Sequence, residues 1–193
     1  MGGKLDKGRI FMDNTPFVRN LMFEHITIRP DFPEKIDIIV EIPKGSHSKF
    51  EYDENLGLIR LDRVLHSSVV YPTDYGFVPS TRSEDGDHLD VLLLTTDPLF
   101  PGCMVSARPI GVADMEDEAG KDWKILAVAE RDPRFSGTHD LADIDQHTLD
   151  EIQNFFEVYK QLENKTVIFH GWQSREEAKN ILKAAFERFK SER

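Results

Sequence analysis

Hydrophobic and polar positions alternate along most of the chain in short segments that end at turn residues. From Ile36 onward these segments are rich in β-branched and aromatic residues, with proline, glycine and asparagine between them. They predict strands at Ile36 to Ile42, Lys49 to Asp53, Leu58 to Val64, Val91 to Thr95, Met104 to Val112, Lys124 to Glu130 and Val167 to Gly171. Because most of them follow one another without a helix between, they indicate an antiparallel barrel rather than a parallel α/β sheet.

A helical period of apolar residues takes over near the C-terminus and predicts two helices. The first is predicted to begin at the capping-box pattern Thr148 to Glu151, and the second at the same kind of pattern in Ser174 to Glu177. Apolar stripes predict that both pack against the barrel: Leu149, Ile152, Phe155, Phe156, Tyr159 and Leu162 in the first, and Ala178, Ile181, Leu182, Ala185, Phe186 and Phe189 in the second. The predicted fold class is α+β with a mainly β core.

The N-terminal residues 1–35 show no clear period, and Pro16 and Pro30 interrupt regular structure there. One short helix is predicted around Phe17 to Phe23. No repeat or linker divides the remainder. The sequence therefore predicts an N-terminal extension, 1–35, and one domain, 36–193.

Composition narrows the range of functions. The chain has 193 residues, 39% hydrophobic and 31% charged, which suits one globular domain. No apolar run reaches the roughly 20 residues of a membrane span, and the N-terminus lacks the order of a secretory signal. The single cysteine, Cys103, agrees with a reducing compartment. We therefore expect a cytoplasmic protein without a membrane partner.

The formal net charge of -11 argues against binding of nucleic acid, which requires a basic surface. A phosphate substrate is compatible with this charge, because metal ions bound by acidic residues reverse its sign locally. Solubility is the alternative explanation for the excess of acid.

The most acidic motif, Asp85-Gly86-Asp87-His88-Leu89-Asp90, leads directly into an apolar segment. Neither a strand nor a helix would put all three aspartates on one face, so we expect a loop that curls at Gly86 and brings the carboxylates together. Carboxylates about 4 Å apart repel by about 4 kcal/mol per pair at an effective dielectric of about 20, so they need protons, cations or bulk water nearby. A divalent-metal site and an acidic surface turn both agree with this motif.

A second acidic cluster, Glu116 to Lys124, also leads into an apolar strand. Asp122 and Lys124 alternate there and are predicted to share one face, as Lys49 and Glu51 do in an earlier strand. Further donors for an anion are Arg63, Tyr75, Tyr159 and Lys160. Carboxylates for divalent ions together with cations for an anion suit phosphoryl transfer to water. Ordinary ion pairs, a solvated turn and core packing of Tyr159 are the alternatives.

In their order along the chain, these blocks resemble the soluble family I inorganic pyrophosphatases from about Ile36 to the C-terminus. The matching blocks are Glu41, Lys49-Phe50-Glu51, Asp62-Arg63, Tyr71-Pro72-x-x-Tyr75-Gly76, Asp85-Gly86-Asp87-x-x-Asp90-Val91-Leu92, Asp117-Glu118-x-x-x-Asp122-x-Lys124 and Phe155-Phe156-x-x-Tyr159-Lys160. The resemblance implies an OB-like five-stranded antiparallel barrel with the helices packed outside. It also implies hydrolysis of pyrophosphate to two phosphates with several Mg²⁺ ions per site, or with another divalent ion such as Mn²⁺.

Carried over residue by residue, the resemblance implies a role for each site residue. The metal ligands would be Asp85, Asp90, Asp122, Asp117 and Glu51. Asp87 would accept the proton of the attacking water, and Tyr75 would lie near that water. The phosphates would be bound by Lys49, Arg63, Lys124, Tyr159 and Lys160. Further cavity-lining positions would be Glu41, Glu118 and Tyr71.

The chain departs from the family pattern at His88, where the family usually has proline; histidine keeps a backbone N–H and more conformational freedom. The resemblance also implies a homo-oligomer, and the chain length favours a hexamer, but Asn154 and Val158 stand where some hexameric members have intersubunit histidines. Two other functions stay open: a metal-binding OB-like interaction module without catalysis, and a hydrolase of another phosphoanhydride.

Overall fold

Five strands close into a ring at the centre of the fold. The computed structural model describes Phe23, residues 25–118 and residues 120–192. Its strands are β1 (Ile36–Ile42), β2 (Ser48–Asp53), β3 (Leu58–Val64), β4 (Asp74–Val78), β5 (Leu89–Leu94), β6 (Met104–Asp117), β7 (Gly120–Lys121), β8 (Lys124–Ala129) and β9 (Ile168–Gln173). The ring runs in the order β1-β4-β5-β8-β6, and β6 pairs with β1 to close it. The predicted OB-like five-stranded barrel is confirmed.

Strand direction in the ring differs from the prediction at one pair. Four neighbouring pairs are antiparallel, but β5 and β8 run parallel. A closed ring with an odd number of strands cannot reverse direction at every pair, so one pair must be parallel. In the register of this pair, Asp90 of β5 is the partner of Lys124 of β8. The two charged motifs therefore enter the barrel side by side at the same end.

Two helices pack on the barrel: α1 (Gln146–Val158) and α2 (Arg175–Ser191). Val91 and Leu93 belong to a core cluster that includes buried residues of α2, whereas Leu92 and Leu94 belong to a cluster with α1. Strand β5 is apolar at consecutive positions because both of its faces are buried. By the two-residue period of a strand, Asp90 lies on the α1 side.

The beginning of α1 corrects the prediction. The helix starts at Gln146 rather than at Thr148, because the Asp145 side chain accepts a hydrogen bond from the His147 backbone N–H at 2.9 Å and caps the helix. The predicted start of α2 is confirmed, since the Ser174 hydroxyl accepts from the Glu177 N–H. Leu162, predicted in the apolar stripe, is 66% exposed because α1 ends at Val158.

All seven predicted strands are present, and β6 continues beyond its predicted end to Asp117. Strand β4 was not predicted, because Gly76 and the flanking prolines Pro72 and Pro79 are typical of turns. Gly76 is required by packing: a Cβ atom there would lie 2.0 Å from the Ile39 carbonyl oxygen of β1. The residue that obscures the strand in the sequence is the one that lets β4 approach β1.

The segment before the barrel contacts it at several points. Phe23 is buried with Ile39 and Phe77, and Arg29 donates to Asp37 at 3.0 Å. Apart from Phe23, the helix predicted around Phe17 to Phe23 lies outside the described residues. Within the part of the chain that the structure describes, no helix is long and apolar enough to cross a membrane.

The close approach at Gly76 predicts that Gly76→Ala destabilises the barrel by about 1–3 kcal/mol, the usual cost of an added methyl group in a packed core. Gly137→Ala is the matched control, since a Cβ atom at Gly137 would have no neighbour within 4 Å. Denaturant unfolding of both variants measures the difference. Equal stability of the two variants would contradict this packing.

Candidate active site

A cavity of about 190 Å³ opens where β5 begins, beside the β2–β3 hairpin. Six of its twelve lining residues are acidic: Glu41, Glu51, Glu54, Asp85, Asp87 and Asp90. Lys49, Tyr75 and His88 also line it. The structure thus brings the three aspartates of the acidic loop to one cavity, as the sequence predicts.

The loop that carries these aspartates curls at Gly86, whose φ of 95° lies in the left-handed region. The Asp87 backbone N–H donates to Asp85 Oδ1 at 3.0 Å, and the Ser83 N–H donates to the Asp87 carbonyl at 2.7 Å. These local bonds form the turn that was expected at Gly86.

A buried lysine joins the loop to the second acidic cluster. Lys124 is 3% exposed, and its Nζ atom donates to Asp90 Oδ2 at 2.8 Å, to Asp122 Oδ1 at 2.9 Å and to the Tyr75 hydroxyl at 3.0 Å. The Tyr75 hydroxyl in turn donates to Asp90. The predicted placement of Asp122 and Lys124 on one face is confirmed.

This cluster fixes the protonation of its members. Burial lowers the pKa of Lys124, but Asp122 and Asp90 raise it well above its ordinary value, so the side chain stays cationic. Burial raises the pKa of Tyr75 well above its ordinary value, and Asp90 raises it further. Tyr75 is therefore a neutral hydrogen-bond donor at neutral pH.

Two carboxyl groups of the cavity hold protons more tightly than ordinary acids. Burial, followed by the charge of Asp90, raises the pKa of Glu41 to about 8, although Glu41 Oε1 accepts a hydrogen bond from the Tyr52 N–H at 2.6 Å. Asp87 is an exposed residue whose carboxyl group faces the cavity. Partial loss of water and the neighbours Asp85 and Asp90 raise its pKa.

The other predicted phosphate-binding cations are paired with carboxylates. Lys160 donates to Asp117 at 2.9 Å, and Lys49 pairs with Glu51, as their alternation predicts. Arg63 donates to Asp62 at 2.5 Å and to Glu163 at 3.1 Å. Tyr159 is buried beside Lys160, whose Nζ atom lies 5.5 Å from the centre of its ring.

Tyr71 and Glu118, predicted to line the cavity, do not line it. Six other predicted site residues are also absent from its lining: Arg63, Asp117, Asp122, Lys124, Tyr159 and Lys160. Tyr71 is buried in the core, where its ring packs edge-on against Tyr75 with centroids 5.6 Å apart. Glu118 is exposed at the turn between β6 and β7. No sequence pattern marks Glu54 or Glu163 as residues of the site. In the folded chain Glu54 lines the cavity, and Glu163 accepts a hydrogen bond from Arg63.

The donor set fits hard divalent cations, since carboxylate oxygens outnumber the cations of the cavity. Within residues 25–118 and 120–192, no three acidic, histidine or cysteine side chains are already arranged as a metal site. Asp90 and Asp122 are instead bonded to Lys124. The structure therefore shows these two carboxylates paired with a cation of the protein itself.

Comparison with known proteins identifies the family of this chain. A family model described as inorganic pyrophosphatase matches residues 38–190. The chain belongs to the inorganic pyrophosphatase family. The resemblance seen in the sequence is thereby confirmed, and the family consists of hydrolases.

Individual members of the family align with this chain over nearly their whole length. The inorganic pyrophosphatase of Saccharolobus solfataricus is 49% identical over 161 residues, which cover 82% of this chain and 94% of that protein. That of Methanosarcina mazei is 45% identical over 152 residues, which cover 79% of this chain and 90% of the relative. The crystal structure of the Thermus thermophilus inorganic pyrophosphatase is 43% identical and superposes with a TM-score of 0.84, covering 87% of this chain and 98% of that one.

The raised pKa of Glu41 predicts a pH-dependent stability in the absence of divalent ions. Between the ordinary pKa of 4.5 and about 8, the folded state holds a proton that the unfolded state releases, so stability falls as the pH rises. Glu41→Gln keeps the acceptor for Tyr52 without titrating, so it should lose less stability than the wild type over this range.

Denaturant unfolding in a chelator, at several pH values from below 5 to above 8, measures this difference. Glu151→Gln, at an exposed position of α1, is the control and should follow the wild type. Parallel pH profiles for Glu41→Gln and the wild type would contradict the raised pKa.

Proposed function

We propose that this protein hydrolyses inorganic pyrophosphate to two phosphates in a Mg²⁺-dependent reaction, by direct attack of water without a covalent intermediate. The observation that carries this proposal is the acidic cavity lined by Asp85, Asp87 and Asp90. Lys124 donates to Asp90 and also to Asp122, and so joins the cavity to the second acidic cluster. Membership of the inorganic pyrophosphatase family supports it.

Asp87 is the proposed general base. Its carboxyl group lines the cavity, and its raised pKa makes it a better proton acceptor than an ordinary aspartate. The local turn around Gly86 holds its backbone. Tyr75 stays neutral and keeps the Asp90 carboxylate oriented toward Lys124.

The proposed ligands of Mg²⁺ are Asp85, Asp90, Asp122, Asp117 and Glu51. Bound Mg²⁺ would neutralise phosphate oxygens and lower the pKa of water. The proposed phosphate-binding residues are Lys49, Arg63, Lys124, Tyr159 and Lys160. The four cations among them already lie against carboxylates, so phosphate oxygens would take over hydrogen bonds that carboxylates now accept.

Cavity size favours a small substrate. The cavity of about 190 Å³ is smaller than the roughly 300–1,000 Å³ of pockets that bury drug-sized ligands. Among phosphoanhydrides, pyrophosphate is therefore preferred over a nucleotide. The homo-oligomer, the division of the chain near residue 36 and the cytoplasmic location stay predictions.

Asp87→Asn should lower kcat for pyrophosphate by more than ~10²-fold, the lower range for loss of a general base, because the amide cannot accept the proton. The fold should persist, since the exposed loop keeps its backbone bonds. Asp97→Asn, at an exposed position outside the cavity lining, is the control and should retain wild-type turnover.

Release of phosphate, with and without Mg²⁺, measures this effect. Near-normal activity of Asp87→Asn would exclude the proposed base. No release from pyrophosphate by the wild type would favour a metal-binding module without catalysis, and faster release from a nucleotide or short polyphosphate would favour another phosphoanhydride hydrolase.

Mg²⁺ should raise the Tm of the wild type, because ions that bind only the folded state stabilise it, by about 2.7 kcal/mol at one hundred times Kd. Asp85→Asn should show a smaller rise, since its amide oxygen keeps the bond from the Asp87 N–H but loses the charge. Thermal unfolding at increasing Mg²⁺ checks both variants. A wild-type Tm that does not change with Mg²⁺ would count against the proposed metal ligands.

A further inference from the structure

His88 directly follows the proposed base and is the first packed side chain after it. Residues 84–87 are exposed, whereas the His88 ring stacks on Phe77, with centroids 4.8 Å apart and an angle of 9° between the rings. Tyr52 lies on the same aromatic cluster, 6.4 Å from His88. The ring therefore has one defined position at the wall of the cavity.

One ring nitrogen ties the loop to the barrel. His88 Nδ1 lies 2.9 Å from the Thr81 carbonyl oxygen, and because a carbonyl only accepts, Nδ1 carries the proton. Thr81 is fully buried, and its hydroxyl accepts from the Leu89 N–H at 3.0 Å and donates to the Val78 carbonyl at 2.6 Å. Two consecutive residues after Asp87 are thus bonded to one buried threonine.

The other ring nitrogen faces the β2–β3 hairpin. His88 Nε2 lies 2.9 Å from Glu54 Oε1. Because Nδ1 carries the proton of the neutral ring, Nε2 donates to Glu54 when the ring holds a second proton. Glu54 also accepts two bonds from Arg82, at 2.6 and 3.2 Å, and Arg82 donates to Glu192 beyond α2 at 3.0 Å. His88 therefore connects the acidic loop with both the hairpin and the C-terminal segment.

The bonds inside the acidic loop are local and do not set its place in the cavity. They join Asp87 to Asp85 and to Ser83, all within the loop itself. Displacement of a reacting group by about 1 Å costs on the order of 10²-fold in rate. The loop is held to the rest of the fold by Arg188 of α2, which donates to Glu84 at 3.3 Å, and by the contacts of His88 with Thr81 and Glu54. Of these contacts, those of His88 directly follow Asp87.

We infer that His88 is a positioning residue for the reaction: stacked on Phe77 and held by Thr81 and Glu54, it fixes where the Asp85 and Asp87 carboxyl groups stand in the cavity. This inference rests on the proposed function.

His88→Phe separates packing from positioning, because phenylalanine keeps the stacked ring and loses both polar contacts. We expect kcat to fall about 10-fold to 100-fold, the range for loss of a residue that orients a metal site. His88→Asn, which restores a donor near the place of Nδ1, should recover part of the loss. His147→Phe, on the exposed surface of α1, is the matched control and should keep wild-type kcat.

Glu54→Ala tests the second contact. If Glu54 acts through His88, the double variant with His88→Phe should be no slower than the slower single variant, because the two effects are not additive. If the fold-losses of kcat in the two single variants multiply in the double variant, the two residues do not share a role.

Hydrogen exchange provides a readout that is independent of turnover. Amides in residues 83–88 should exchange faster in His88→Phe than in His147→Phe, while the barrel strands exchange alike in both. Wild-type kcat or unchanged exchange of the loop in His88→Phe would overturn the inference. If the wild type releases no phosphate, the proposed function fails, and loop exchange alone then decides whether His88 positions the loop.

Discussion

The buried ammonium group of Lys124 is the constraint on which the rest of the site depends. An ammonium group removed from water without partners costs several kcal/mol, so its three acceptors must be in place when the barrel closes. They are supplied by β5, by the turn before β8 and by β4, at Asp90, Asp122 and Tyr75. The contact between Lys124 and Asp90 depends on the parallel strand pair that an odd-stranded ring requires, since Asp90 and Lys124 are partners in the register of that pair.

The positive charge of Lys124 does not offset all the carboxyl groups at this end of the barrel. The pKa values of Glu41 and Asp87 are raised because each loses water and faces Asp90. A nearby cation stabilises the ionised form of carboxyl groups whose pKa is raised in this way. The gathered carboxyl groups therefore have two consequences: they repel one another when no metal ion is bound, and they give the protein its proposed affinity for Mg²⁺. The well-packed strands around the site supply the stability that the site itself lacks.

The sequence predicts the parts of this protein that depend on local pattern. Alternation identified seven strands, and a cap identified the start of α2. Strand β4 is missed because Gly76 is typical of a turn. Its role is to let β4 lie so close to β1 that a Cβ atom at this position would be 2.0 Å from the Ile39 carbonyl oxygen, an approach that only the closed barrel creates. The start of α1 was misplaced because Asp145 and Thr148 are both competent caps, and local sequence does not decide between them.

Local pattern also marks the residues proposed to bind metal or accept a proton, but it does not mark the residues that hold them in place. Three of the aspartates proposed to act together, Asp85, Asp87 and Asp90, lie within one motif, because a short loop is a simple way to bring carboxylates together. Their supports are distant in sequence: Glu163 orients Arg63 from 100 residues away, and Glu54 reaches His88 across the cavity. A supporting residue needs only a compatible group at the right point in space, so the fold selects it and no sequence pattern marks it.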